Sequence, residues 1–299
     1  MDASCLDYAL TEAERREFEH NGFMVVRDVL PEDMVAELGA VVDRIDAEQR
    51  PKRGLEPHQM LNHFDFIQEH DLFLDLVDWP QTFPKVFGIL GWHIQIYHTH
   101  VIVTPPLNGR MPERKRLGWH QDSGRLNLDM ETSPRPRISL KVAFFLTDCS
   151  ETDRGNFHAV PGSHLQNGIE MPDEDRDPDG AVPIRAAAGD AVIFDRRVWH
   201  ASGQNFSPHA RKVLFYGYSY RWLRPRDDMT VEHLYPGLDP IRGQLLRDNP
   251  SNNGTYAPEK GETPLRDWLS QHCPEDAEWT PGRQRQSYRP DISNTRANR

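Results

Sequence analysis

From Ile94 onward the apolar residues of this chain stop recurring at helical spacing and begin to alternate, which confines the middle of the molecule to extended strands. Arg137-Ile-Ser-Leu-Lys-Val-Ala-Phe-Phe-Leu146 shows the pattern: Ile138, Leu140, Val142, Phe144 and Leu146 all fall on one face. Similar runs cover 94–104, 117–122, 138–146, 157–160, 191–194 and 212–222, with Pro and Gly turns between them. Many short strands punctuated in this way predict an all-β sandwich or barrel. The chain before them reads differently. Thr11-Glu-Ala-Glu14 fits a capping box, Asn21-Gly22 stops that helix, and Phe23 to Arg27 is a short strand. Pro31-Glu-Asp-Met opens a second helix, with Met34, Leu38, Val41, Val42 and Ile45 at helical spacing. Residues 51–94 read as a loop followed by helix from Leu72 to Leu90. The expectation is one domain over 1–270: a helical layer about 11–90, a strand core about 94–225 and an irregular C-terminal cover. The remainder, 271–299, is expected to be a mobile tail.

Composition narrows the function classes. The 299 residues are 37% hydrophobic and carry 35 Lys+Arg against 46 Asp+Glu, a net charge of −11. No apolar run approaches the roughly 18 residues of a membrane-spanning helix, so no membrane partner is expected. An acidic balance argues against nucleic acid, which needs a concentrated basic footprint. The local cluster Arg110, Arg114, Lys115 and Arg116 reads as a solvated loop. Cys5, Cys149 and Cys273 stand apart, without metal or disulfide spacing, which fits a reducing compartment. With no leader-like opening, the expectation is a cytoplasmic monomer or homodimer acting on a small molecule. Only the 14 histidines ask for an explanation, since several sit within strand-like stretches.

Gly118-Trp-His-Gln-Asp-Ser-Gly124 puts His120 and Asp122 two residues apart in an expected strand, hence on one face, where imidazole and carboxylate can chelate one metal ion. A hydrogen-bonded pair without metal is the alternative. Downstream, Gly189-Asp-Ala-Val-Ile-Phe-Asp-Arg-Arg-Val-Trp-His200 delivers a strand, a turn and another histidine. Two histidines and a carboxylate occupy one face of an octahedral ion, an arrangement iron(II) favours; zinc can use the same ligands with a water. Arg211 then opens the strand Lys212-Val-Leu-Phe-Tyr-Gly-Tyr-Ser-Tyr-Arg-Trp222. Inside a barrel such an arginine needs an anion, and its planar fork suits a carboxylate; at a strand entrance it could instead be a surface residue.

Together with Phe18-Glu-His-Asn-Gly-Phe-Met-Val-Val-Arg-Asp-Val-Leu30 and Asp153-Arg-Gly-Asn-Phe-His-Ala-Val-Pro-Gly-Ser-His164, these motifs resemble the phytanoyl-CoA dioxygenase family of iron(II)- and 2-oxoglutarate-dependent oxygenases. The resemblance spans Glu14 to about Trp222. It implies a mainly β fold, a double-stranded β-helix (a jelly-roll or cupin-like core) flanked by N-terminal helices. It implies His120, Asp122 and His200 as iron ligands, Arg211 and Ser202 on the distal carboxylate of 2-oxoglutarate, and His98 as a polar contact to that cosubstrate. Two departures stand out. The turn reads Arg154-Gly-Asn where Glu-Asn-Gly is commoner, and the retained Asp122 separates the chain from the halogenating branch.

By this resemblance the chain uses iron(II), 2-oxoglutarate and O2 to oxidise a C–H bond of a small organic substrate, most simply by hydroxylation, releasing succinate and CO2. His100, Gln121, Arg125, Lys141 and Trp222 are candidate pocket residues, and Ser123 to Arg137 a candidate lid. Two other classes compete: a cupin-like metal-dependent isomerase or hydrolase, and a non-catalytic small-molecule-binding barrel. An acyl-CoA, a free carboxylic acid, an amino-acid derivative and a natural product all remain compatible as substrates.

Overall fold

A computed structural model describes residues 1–110, 116–172, 176–248, 251–259 and 261–281. The capping box forms as its residues predict: Glu14 N donates to the Thr11 hydroxyl at 3.2 Å and Thr11 N to Glu14 Oε2 at 2.9 Å, opening α1 (Glu12–Asn21). Gly22, at φ 81°, ends that helix in the left-handed conformation and turns the chain into β1 (Phe23–Val26). Next, α2 (Glu32–Lys52) buries Leu38, Val41, Val42 and Ile45, the stripe its periodicity foretells. Residues 51–94 depart from the expected single helix. They hold a four-residue strand, β2 (Leu61–Phe64), too short for its alternation to register, and then α3 (Asp71–Asp75) and α4 (Phe83–Leu90). The break lies at Trp79-Pro80, where Trp79 takes the extended ψ of 124° that a following proline enforces.

The strands that follow are β3 (Ile94–Thr104), β4 (Ser139–Phe145), β5 (Phe157–Ala159), β6 (Val182–Ile184), β7 (Ala191–Asp195), β8 (His200–Ser202) and β9 (Arg211–Tyr220), with α5 (Gly124–Asp129) between β3 and β4. They form a six-stranded antiparallel sheet in the order β1-β7-β4-β9-β3-β2 and a three-stranded sheet β6-β5-β8. Facing each other, the two make the double-stranded β-helix expected of the sequence. The outer face of the large sheet, including Leu140, Val142, Phe144, Ile193 and Leu214, packs on Leu38 and Val42 of α2 and Phe83 and Val86 of α4. Its inner face, with Ala143, Phe145, Val192, Phe194, Val213 and Phe215, meets Phe157, Ala159 and Ile184 of the small sheet. Both faces are therefore buried, which is why these strands carry few polar residues at the alternate positions.

Two further expectations are corrected. Residues 117–122 form no strand; only an isolated bridge pairs His120 with His200. The C-terminal segment is not loose from residue 271. After α6 (Pro240–Leu245) and α7 (Pro264–His272), α8 (Pro274–Glu278) buries Ala277, and the Arg15 guanidinium sits 5.3 Å from the Trp279 ring centroid. Proline at the first turn and the acids Glu275 and Asp276 explain a helix where a tail was expected. Residues 282–299, and Arg114 and Lys115 of the basic cluster, lie outside the described residues. No described helix is long and apolar enough to cross a membrane.

Candidate active site

The bridge between His120 and His200 is made by two backbone hydrogen bonds, His120 N to His200 O at 3.0 Å and His200 N to His120 O at 2.9 Å. It sets the two rings side by side, with centroids 4.3 Å apart. Asp122 N donates to Arg196 O at 2.9 Å, and the turn at Ser123, φ 66°, follows at once. As a result one ligand atom from each of His120, Asp122 and His200 lies within 4.8 Å of the others. His120 Nδ1 is 2.9 Å from Gly118 O, and His200 Nδ1 is 2.8 Å from Val198 O. A carbonyl only accepts, so each Nδ1 carries the hydrogen and each Nε2 presents a lone pair, the form a metal needs.

Electrostatics prepare the same form. Burial and the neighbouring His120 push His200 down to about 4, so it stays neutral at ordinary pH. Burial alone would raise the Asp122 carboxyl, but Lys141 and His200 outweigh it and hold Asp122 well below the usual carboxylate range. Lys141 is 3% exposed and its Nζ lies 3.0 Å from each Asp122 oxygen. Alternation sets it opposite the apolar stripe of β4, and only the structure shows that this second face is buried too.

Arg211 opens β9 opposite Thr104 and is 2% exposed. Its guanidinium lies 5.4 Å from the Phe145 ring centroid, and its buried Nε and Nη1 have no hydrogen-bond partner among the described residues. A buried, unmatched fork calls for an anion, and a carboxylate matches it. Gly155, at φ +73°, makes the room: a Cβ there would sit 3.0 Å from Arg211 Cδ. The altered turn is thus built around the arginine, with Asn156 Nδ2 donating to Cys149 O, Glu151 O and Ile184 O.

The other predicted residues separate. Ser202 ends β8, exposed, on the wall of a cavity of about 380 Å³ shared with Thr104 and Gly118. His98 is buried on β3, with Nδ1 unpartnered and 3.9 Å from Asp227; burial pushes it down to about 3. His100 rests between Phe64 and Phe215, ring centroids 5.9 and 4.5 Å away. Gln121 turns away, its amide donating to Arg197 O at 2.6 Å and Gln166 O at 3.0 Å. Arg125 is exposed and pairs with Asp129, while Trp222 stacks on Tyr220, so neither joins the site. The segment 123–137 is anchored beneath Asp122 and does not hang free as a lid would: Asn127 Nδ2 donates to Asp122 O at 2.9 Å and Arg196 donates to Asn127 Oδ1. Sequence reasoning missed Phe64, because its strand is so short, and Arg196, which nothing in the local pattern marks as buried.

Comparison with known proteins places the chain in a family. The family model described as "Phytanoyl-CoA dioxygenase (PhyH)" matches residues 18–213. The chain is 26% identical over 245 residues to the peroxisomal phytanoyl-CoA dioxygenase of Rattus norvegicus, covering 70% of this chain and 68% of that one. To the ectoine dioxygenase of Streptomyces avermitilis it is 22% identical over 236 residues, covering 69% and 77%. Among solved structures, HygX from Streptomyces hygroscopicus, determined with nickel and 2-oxoglutarate bound, shares the fold with a TM-score of 0.57 at 16% identity, over 73% of this chain and 90% of that one. With the family model spanning about two thirds of the chain and most of its strand core, the chain belongs to the phytanoyl-CoA dioxygenase family of iron(II)- and 2-oxoglutarate-dependent oxygenases.

Proposed function

We propose that this dioxygenase hydroxylates a C–H bond of a small organic substrate, with His120, Asp122 and His200 holding iron(II) and Arg211 gripping the distal carboxylate of 2-oxoglutarate. The observation that carries it is the occurrence in one fold of a His-Asp-His cluster and a buried arginine whose Nε and Nη1 have no partner among the described residues. When bound, iron and 2-oxoglutarate supply an oxidant from O2, with succinate and CO2 as by-products. The protein's part is arrangement. The bridge between His120 and His200 fixes both rings, Gly118 O and Val198 O keep each Nε2 free, and Arg211 orients the cosubstrate from the far end of the strand. Ser202 and His98 are proposed as further polar contacts to 2-oxoglutarate. A metal-dependent isomerase or hydrolase on the same three ligands is set aside because the chain belongs to a dioxygenase family. Free Cys5, Cys149 and Cys273 support a cytoplasmic setting, and the acidic balance a small-molecule partner in place of nucleic acid.

The test is anaerobic titration of the purified chain with iron(II) and 2-oxoglutarate. A weak visible charge-transfer band should develop, vanish in His200→Ala, and in Arg211→Met require at least about tenfold more 2-oxoglutarate, as expected for loss of a bidentate ionic contact. Absence of the band in the intact protein would reject the reading.

A further inference from the structure

We propose that Lys141 binds a carboxylate of the substrate, so that the chain oxidises an organic acid; this rests on the reading of the site as an iron(II) and 2-oxoglutarate centre. Lys141 faces Phe194 on β7 and Gly217 on β9, and Gly217 faces His98 on β3, so the four share one level of the inner sheet face. The Lys141 amine stands 6.0 Å from the Phe194 and Phe215 ring centroids and within 3.0 Å of both Asp122 oxygens. A nearly fully buried cation thus stands beside a proposed metal ligand, where a divalent ion makes it a liability unless more negative charge arrives.

The balance of charge decides what must arrive. Once Asp122 is shared with a divalent metal, Lys141 and Arg211 add two cations, against which stand one carboxylate and the 2-oxoglutarate dianion. One positive charge is left over. Arg196 adds to the excess: wholly buried beneath Asp122, it donates to Asn127 Oδ1, Pro136 O and Met130 Sδ, all neutral. The nearby carboxylates are already engaged. Asp227 pairs with Arg247 and accepts from Thr99 N at 2.7 Å, and Asp195 is held by Arg137 and Arg197. Both charges of 2-oxoglutarate are already counted in that balance, so the cosubstrate cannot supply the missing one. The missing anion therefore comes with the substrate. Its body has an aromatic wall to rest on, Phe64, His100 and Phe215, with Phe64 40% exposed.

The experiment loads the full chain with nickel(II) and 2-oxoglutarate, which permits binding without turnover. Calorimetry and thermal unfolding then compare hexanoate, octanoate, phenylacetate and 3-phenylpropanoate, each beside its primary amide. The acids should bind at least about tenfold tighter than the amides. Lys141→Met, compared with the wild type at saturating nickel and 2-oxoglutarate, should abolish that preference, and Lys141→Arg should restore most of it. Equal binding of acid and amide, binding by none of the acids, or a preference that survives in Lys141→Met would each overturn the inference. Should Lys141→Met fail to fold, the acid-against-amide contrast in the wild type decides alone. Failure of nickel and 2-oxoglutarate to bind the wild type is a different result, which removes the site reading and this inference with it.

Discussion

His93 and His98 show what burial does to single residues in this molecule. Each has a ring nitrogen without a partner, and burial pushes them down to about 4 and about 3. An unfolded imidazole titrates near 6.5, so as pH falls below that value the unfolded chain takes up protons that the folded chain refuses. Their contribution is therefore complete above about pH 6.5 and drains away as pH falls toward 4 and then 3. Carboxylates held low by arginine, such as Asp195, lose their contribution only in more acid solution, so imidazoles dominate the upper part of the window. The metal-free chain should lose on the order of a few kcal/mol between pH 7 and pH 4. Urea unfolding across that range checks it, and His98→Gln should flatten the slope; an unchanged slope would sink the assignment. At this scale the sequence was informative where residues are neighbours in the chain. His120 and Asp122 converge because their spacing is short. The orientation of Lys141 was hidden because alternation sets it opposite an apolar stripe, where a solvent-facing side is the ordinary reading, whereas the strand is buried on both faces.

At the scale of elements, β3 contains an irregularity that only the three-dimensional pairing exposes. Its register against β9 shifts between Ile96 and His98, and Gly217 lies across from the shift. A Cβ at position 217 would come 2.8 Å from Tyr97 Cε1 and 2.9 Å from His98 O. The carbonyl is backbone and cannot yield cheaply, so Gly217→Ala should destabilise the chain by about 1–3 kcal/mol. Gly39 in α2 is the control, since a Cβ there meets nothing within 4 Å; Gly39→Ala should stabilise by about 0.5–1 kcal/mol. Chemical denaturation of both variants measures the contrast, and similar effects at the two sites would show that the close approach at Gly217 carries no cost. Periodicity located β3, β4 and β9 because each repeats its pattern several times, and the shorter β1, β5 and β7 were read as apolar runs between turn residues. It failed for β2, with four residues, and for 117–122, where the chain makes a single bridge and turns away. The break between α3 and α4 was written in Trp79-Pro80, but apolar residues at helical spacing on both sides of it read as one helix.

Across the whole molecule, the C-terminal helices look like a separate cover in the sequence and behave in the structure as part of the core. Gln244, 2% exposed, joins three parts: its amide donates to Trp92 O at 3.0 Å and Ile94 O at 3.1 Å, and its oxygen accepts from Leu265 N at 3.0 Å. Leu245, Leu265 and Leu269 belong to the same apolar cluster as the outer face of the large sheet, and the Met1 amino group pairs with Asp239 at 3.0 Å. First residues, strand core and last helices are thereby tied through one continuous interior, which makes independent melting of the cover costly to every layer. Leu265→Ala should remove about 2–5 kcal/mol, a fall in melting temperature on the order of ten degrees for a chain of this size. Because the cluster is shared, near-ultraviolet circular dichroism and loss of nickel binding should move down together in one transition. If the variant instead melts in two steps, with metal binding surviving the first, the C-terminal helices are a detachable layer and the strand core stands without them.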